Sequence, residues 1–170
     1  MIVGICGLAG SGKSTAAGVL ERSFDFNRLA FADPLKSMLG AVGLTREQLY
    51  GSQKEVVMDD LGVTPRLMMQ TLGTDWGREQ INPDIWVKLW TRKARALVDA
   101  GASIVADDVR FPNEIEAIRA LGGVIWRVER PGTAKMAHAS ENADLPYDRL
   151  LVNDGTEADL SWLVAGMLER

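Results

Sequence analysis

Five short apolar runs punctuate the chain, at residues 2–6, 28–32, 103–106, 124–128 and 150–152. They are near-continuous and rich in β-branched side chains rather than alternating apolar with polar. That is the pattern of strands covered on both faces, and hence of an α/β fold on a parallel sheet. Between the runs the spacing changes to that of helices. Residues 14–22 (STAAGVLER) suit a helix, and Ile85, Trp86, Leu89, Trp90, Leu97 and Val98 make one apolar face of another, which Gly101 would end. Residues 113–121 form a further helix closed by Gly122-Gly123. Thr45-Arg46-Glu47-Gln48 reads as a capping box, as does Thr156-Glu157-Ala158-Asp159 ahead of Leu160, Leu163, Val164 and Met167. Thr64-Pro65 reads as an N-cap followed by proline at the first helical position.

Two segments exceed a minimal strand–helix alternation. About seventy residues of helices and turns separate the second run from the third, and residues 130–149 read as a polar loop or short helical excursion. In an open parallel sheet such insertions lie at the carboxyl ends of strands, where ligands bind, and long loops in compact domains are usually functional. The first is large enough to hold a second substrate. The second could close as a lid.

Composition narrows the setting. The 170 residues fit one domain, residues 1–170, with a sizeable core. Net charge is −4 and the longest basic block is Arg92-Lys93, which argues against duplex nucleic acid as the main partner. Cys6 is the only cysteine, so no intrachain disulfide can form, and it reads as a core residue. The N-terminus runs directly into the first strand, and no apolar run is long enough to span a bilayer. The expectation is a soluble cytoplasmic protein with no membrane partner.

Residues 7–14 spell Gly-Leu-Ala-Gly-Ser-Gly-Lys-Ser, the G-x-x-x-x-G-K-[ST] loop that cradles a nucleotide polyphosphate. A strand before it and a helix after it supply the context the motif needs. The glycines turn successive backbone N–H groups inward and the helix N-terminus adds partial positive charge. Gly10, Ser11, Gly12, Lys13, Ser14 and Thr15 are therefore candidate ATP ligands, with Lys13 reaching the β/γ-phosphates and the Ser14 hydroxyl ligating Mg²⁺. The third run ends in Asp107-Asp108, an acid delivered beside the loop to hold Mg²⁺. Only one of the two can point toward the loop, and spacing along a strand does not choose between them.

Transfer of a phosphoryl group to a second phosphate needs no general base, because the acceptor is already largely dianionic near neutrality. It needs arginines to bring two anions together, and the candidates are Arg66, Arg78, Arg110, Arg127 and Arg130, at expected strand ends or within the insertions. His138, the lone histidine, reads as a surface loop residue. Trp76 lies in a glycine-flanked stretch, where packing is the default and stacking on a base the alternative.

Together these motifs resemble the deoxynucleoside monophosphate kinases of the type found in tailed bacteriophages, within the P-loop nucleoside monophosphate kinase superfamily. The resemblance covers nearly the whole chain. It rests on residues 7–15, Phe31-Ala32-Asp33-Pro34-Leu35-Lys36, residues 66–78 (RLMMQTLGTDWGR), Asp108-Val109-Arg110-Phe111-Pro112-Asn113-Glu114, His138-Ala139-Ser140-Glu141 and Asn153-Asp154-Gly155-Thr156. It implies a three-layer α/β fold with a five-stranded parallel sheet in 2-3-1-4-5 order, a monophosphate-binding insertion over about 33–100 and a lid over about 130–149. It implies ATP and Mg²⁺ as donor and cofactor, and a deoxynucleoside monophosphate as acceptor. Carried over by motif, Lys36 and Arg66 hold the acceptor phosphate beside Leu35, Arg130 serves in the lid, and Ser140 and Glu141 contact the acceptor nucleoside. Asn153 and Gly155 match a loop near the adenine of ATP, which by its residues is equally a turn and helix cap. Asp33 either helps order Mg²⁺ or the acceptor, or fixes the turn before Pro34. Some family members carry a basic residue where this chain has Ala9. The competing readings are a P-loop kinase for another small molecule, such as dephospho-coenzyme A, and a nucleotide-dependent switch. The first lacks its longer glycine run and the second its N-K-x-D tetrad. A homodimer is compatible with the sequence, which leaves the accepted base open.

Overall fold

The computed structural model describes residues 1–133 and 145–168. The chain divides into two compact units, one of residues 1–31 and 90–170 and one of residues 32–89. The first is built on a parallel sheet of β1 (Ile2–Cys6), β2 (Phe26–Arg28), β3 (Ser103–Ala106), β4 (Val124–Glu129) and β5 (Arg149–Val152). The order is β2-β3-β1-β4-β5, as the resemblance implies. Val3 pairs with Val105 on one side of β1, and Gly4 with Ile125 on the other.

Every residue of the central β1 is buried, as a strand flanked and covered on both faces requires. Along it the side chains alternate between two cores. Val3 and Ile5, with Val105, Trp126 and Val128, face α1 (Lys13–Phe24) and α7 (Glu157–Leu168) through Ala16, Leu20, Leu160 and Val164. On the opposite face Gly4 makes room for α6 (Pro112–Ala120): a Cβ there would stand 2.5 Å from Ile118 Cδ1 and 2.9 Å from Ile125 Cδ1. The edge strands behave differently, since β2 buries only Phe26 and β5 only Leu151.

The second strand departs from the pattern read along the chain. It occupies Phe26–Arg28 rather than 28–32. Leu29 still donates its N–H to the Val105 carbonyl at 2.9 Å, but the N–H of Phe31 is taken at 2.9 Å by the Asp108 carboxylate. The ladder stops there, although Leu29, Ala30 and Phe31 remain buried. Phe31 instead stacks on Trp90 of α5 (Ile85–Asp99), 4.6 Å between ring centroids, and Trp90 Nε1 donates to the Leu29 carbonyl at 2.9 Å. Burial without ladder bonds looks like a strand in sequence.

The second unit is helical: α2 (Asp33–Ala41), α3 (Arg46–Tyr50), a 3₁₀ turn, α4 (Pro65–Thr71) and the start of α5. The Thr45–Gln48 capping box and the Thr64 cap before Pro65 both form. A ten-residue π-helix, Leu72–Ile81, follows α4 directly and was not foreseen from the sequence. Its cause is Trp86. The indole lies against Gly77, where a Cβ would stand 2.5 Å from Cζ2, and Nε1 donates to the Gly73 carbonyl at 2.7 Å. Wider winding and two bare backbone positions accommodate a ring that Leu35, Leu39, Leu44 and Leu49 pack around.

Among the described residues no helix is long and apolar enough to cross a membrane. The Gly77→Ala variant should lose about 1–3 kcal/mol of stability by overpacking against Trp86. Thr74→Ala, at an exposed position of the same helix, should stay within about 0.5 kcal/mol of the parent, and urea titration of both variants and the parent checks the two values.

Candidate functional site

The loop between β1 and α1 is shaped by glycine. Gly7, Gly10 and Gly12 all have positive φ, at 138°, 77° and 105°. Two of them are also closely abutted. A Cβ on Gly7 would meet the Val128 carbonyl oxygen at 2.2 Å, and one on Gly12 would meet Asn153 Nδ2 at 2.5 Å. Gly12 caps α1 with no side-chain bond, so the first turn presents its backbone N–H groups to the loop.

Lys13 curls over its own loop, donating from Nζ to the carbonyls of Gly7 at 2.8 Å and Leu8 at 2.7 Å. A cation is thereby held at the loop. Ser14 Oγ donates to Asp107 Oδ2 at 2.9 Å, and Asp107 also accepts from Arg28 Nη2. The structure thus separates the two aspartates that spacing could not. Asp107 turns to the loop, while Asp108 Oδ1 accepts the Phe31 N–H and so ties the end of β3 to the segment leaving β2. Thr15 is half-buried in the first turn of α1.

Asn153 lies behind the loop. Only 5 % exposed, it donates from Nδ2 to the Ser11 carbonyl at 2.8 Å, while its own N–H bonds the Glu129 carbonyl at 2.7 Å. The Asn153 side chain is therefore a brace for the phosphate loop. Gly155 leaves room for the reciprocal Thr156–Asp159 bonds that start α7, since a Cβ there would sit 2.5 Å from Asp159 Oδ2. Ser11 is fixed through its backbone, and its buried hydroxyl has no hydrogen-bond partner among the described residues.

Arg110 follows β3, its N–H donating at 2.7 Å to Glu114, a carboxylate only 2 % exposed that closes the N-terminus of α6. Arg127 stands beside Cys6 in register, 2.7 Å from Glu129 and 5.5 Å from the centroid of the Tyr147 ring. Burial pushes the Cys6 thiol up, as befits a core residue. Arg130 opens a turn in which its carbonyl accepts from the N–H of Thr133 at 3.2 Å. Thr133 Cγ2 would stand 3.9 Å from a Cβ on Gly10, so this turn approaches the loop. Ser140, Glu141 and His138 lie outside the described residues.

The remaining candidates belong to the second unit. Asp33 begins α2 with Pro34 beside it, and its carbonyl accepts from Ser37 Oγ at 2.9 Å. Leu35 is core, and Lys36 Nζ lies 4.1 Å over the Tyr50 ring. Arg66 Nε donates to Glu55 at 2.6 Å, in an exposed pair. Arg78 Nη1 donates to the Pro83 carbonyl at 3.3 Å. Trp76 is half-buried against the cluster around Trp86, 6.4 Å between ring centroids.

Sequence reasoning missed Arg28 and its partner Glu21. An arginine inside an otherwise apolar run was the available signal, but nothing in a linear reading says that β2 delivers it to Asp107. For a metal, the donors on offer are two hard oxygen groups, the Ser14 hydroxyl and the Asp107 carboxylate. That partial set suits Mg²⁺, which keeps waters and takes substrate phosphates as ligands. Among the described residues no group of three or more His, Cys, Asp or Glu could hold a metal by itself.

Residues 47–163 match the family described as deoxynucleotide monophosphate kinase. A putative deoxynucleotide monophosphate kinase of Acanthamoeba polyphaga mimivirus is 36 % identical over 92 % of this chain and 90 % of its own length. The deoxynucleoside-5′-monophosphate kinase of Escherichia phage T5 is 31 % identical over 58 % of this chain, which spans only 42 % of that longer protein. Among solved structures, the Mycobacterium tuberculosis APS kinase in complex with AMPPNP and APS superposes with a TM-score of 0.56 at 15 % identity, over 99 % of this chain and 97 % of that one. Shikimate kinase from Aquifex aeolicus gives 0.55 at 13 %, over 99 % and 96 %. At such identities the likeness is one of fold.

The Asp107 carboxylate yields a pH prediction. Burial disfavours its charged form, but the bonds from Arg28 and Ser14 outweigh burial and hold its pKa below the ordinary carboxylate value. A depressed folded-state pKa adds stability above the unfolded value, lost as pH falls through the folded one. Asp107→Asn should therefore destabilise the protein near neutrality, and the penalty should shrink once pH drops below about 4. Denaturant titrations of both proteins across that range check it; a penalty constant with pH would assign the cost to packing.

Proposed function

The chain belongs to the deoxynucleotide monophosphate kinase family, and from that premise we propose that it transfers the γ-phosphoryl group of ATP, with Mg²⁺, to the 5′-phosphate of a deoxynucleoside monophosphate. The observation that carries this reading is the glycine loop with Lys13 held over it and Ser14 bonded to Asp107. Loop N–H groups and Lys13 bind the β- and γ-phosphates, and Ser14 and Asp107 hold the metal. The metal, when bound, neutralises charge on the phosphates as the group moves. An acceptor phosphate oxygen forms the new bond to Pγ, the bond from Pγ to the β,γ-bridging oxygen breaks, and ADP leaves with that oxygen. No protein base is needed, because the attacking phosphate is already anionic near neutrality.

The acceptor side of the reading draws on the second unit. Lys36 and Arg66 bind the acceptor phosphate, with Arg78 and Asp33 as further contacts and Leu35 and Trp76 beside the nucleoside. The Arg66–Glu55 pair is exposed and so inexpensive to exchange for a substrate phosphate. Arg110 and Arg130 are assigned to the transferring group, Ser140 and Glu141 to the acceptor nucleoside, and Asn153 and Gly155 to the loop flanking the donor. A cytoplasmic setting is proposed with this function, that of the infected host if the chain is virally encoded like the T5 relative.

A coupled assay of ADP release against each common dNMP tests the proposal. Dependence of ADP release on at least one dNMP and on Mg²⁺ is expected, and folded protein that turns over none of them overturns it. Lys13→Ala should lower kcat by at least about 100-fold through lost transition-state stabilisation. Arg66→Ala should raise the acceptor KM about tenfold while leaving the ATP KM near the parent value.

A further inference from the structure

Arg28 lies at the end of the edge strand β2. It reaches three residues on two other pieces of chain within the first unit, α1 and the segment after β3. Nη1 pairs with Glu21 of α1 at 3.3 Å, Nη2 donates to the Ser14 carbonyl at 3.4 Å, and Nη2 also donates to Asp107 Oδ2. That same oxygen of Asp107 accepts the Ser14 hydroxyl at 2.9 Å. The side chains of the pair are 33 % and 12 % exposed, so the interaction is sheltered more than a surface salt bridge. One carboxylate, beside the hydroxyl read as a metal ligand, is thus already matched by a fixed positive charge.

We propose that Arg28 is a positioning residue that neutralises Asp107 in the nucleotide-free protein and makes divalent-cation binding conditional on the nucleotide's own phosphates. The inference rests on the reading of Ser14 and Asp107 as the metal side of a nucleotide site. Mg²⁺ gives up water reluctantly and needs several anionic oxygens to hold it. Here the protein offers one hydroxyl and one carboxylate whose charge is paired, and no larger acidic group stands among the described residues. A polyphosphate brings the missing negative charge, so metal and nucleotide arrive together. Glu21 anchors the guanidinium from the α1 side and keeps it beside Asp107. Without Arg28, Asp107 would face the loop with its charge uncompensated and would attract a free dication.

The test is Mn²⁺ binding by the full chain without nucleotide, followed by the electron paramagnetic resonance of free Mn²⁺. Wild-type protein should bind Mn²⁺ weakly, and Arg28→Gln should bind it about tenfold more tightly. Arg28→Lys keeps the charge and should stay close to wild type, and adding Asp107→Asn to Arg28→Gln should abolish the gain. Equal or weaker binding by Arg28→Gln would mean that Arg28 is a structural clamp alone, and the inference falls. The wild-type titration decides independently of whether any variant folds, because nucleotide-free binding at about 10 μM or tighter also overturns it. Absence of dNMP-dependent ADP release would sink the functional reading instead, without altering the Mn²⁺ comparison.

Discussion

The placement of the phosphate loop depends on a contact that leaves no room for a side chain. Gly7 passes so close to the Val128 carbonyl that any Cβ would overlap it, and its φ is one that L side chains rarely adopt. The pairing of β1 with β4 sets that approach, running in register from Val3–Val124 to Cys6–Arg127. Once the chain has passed Val128, Asn153 takes over behind it, filling the space beside Gly12 and bonding the Ser11 carbonyl. The loop is therefore held from behind by Val128 of β4 and by Asn153 just past β5, and its own Ser11 N–H bonds the Leu8 carbonyl at 3.2 Å. Lys13 and Ser14 follow from this, because α1 begins where the loop lets it begin.

Charge is arranged on the same frame. Asp107 and Asp108 are adjacent in sequence, just past the end of β3, and their carboxylates bond different partners. Asp107 joins Ser14 and Arg28 at the loop, whereas Asp108 ends the β2 ladder by capturing the Phe31 N–H. Capturing that N–H ends the pairing at Phe31, the last residue of the first unit before the helical one. One acid sits at the loop and its neighbour ends the β2 ladder.

The helical unit shows a second use of glycine. Gly73 and Gly77 look, in a linear reading, like flexible flanks around Trp76, and attention falls on that tryptophan. In the fold the ring that matters is Trp86, which rests on the bare backbone at Gly77 and bonds the Gly73 carbonyl. Trp76 packs beside it. The spacing was visible, but its partner lay further along the chain and could not be paired with it by pattern alone.

The sequence by itself determined the features that depend on neighbours in the chain. These were the capping boxes at Thr45 and Thr156, the Thr64-Pro65 start, the buried central strands, and a glycine loop between a strand and a helix. Local backbone chemistry dictates each of them, so a linear string suffices. Its family blocks also carried the strand order, by resemblance rather than by physics. What only the tertiary structure decided depends on residues far apart in sequence. Arg28 meets Asp107 because β2 lies beside β3, Asn153 braces Ser11 because β5 ends behind the loop, and the apolar run at 28–32 stops pairing because Asp108 takes its N–H. Such contacts are fixed by the order and register of strands, and side-chain periodicity carries no record of which strand is whose neighbour.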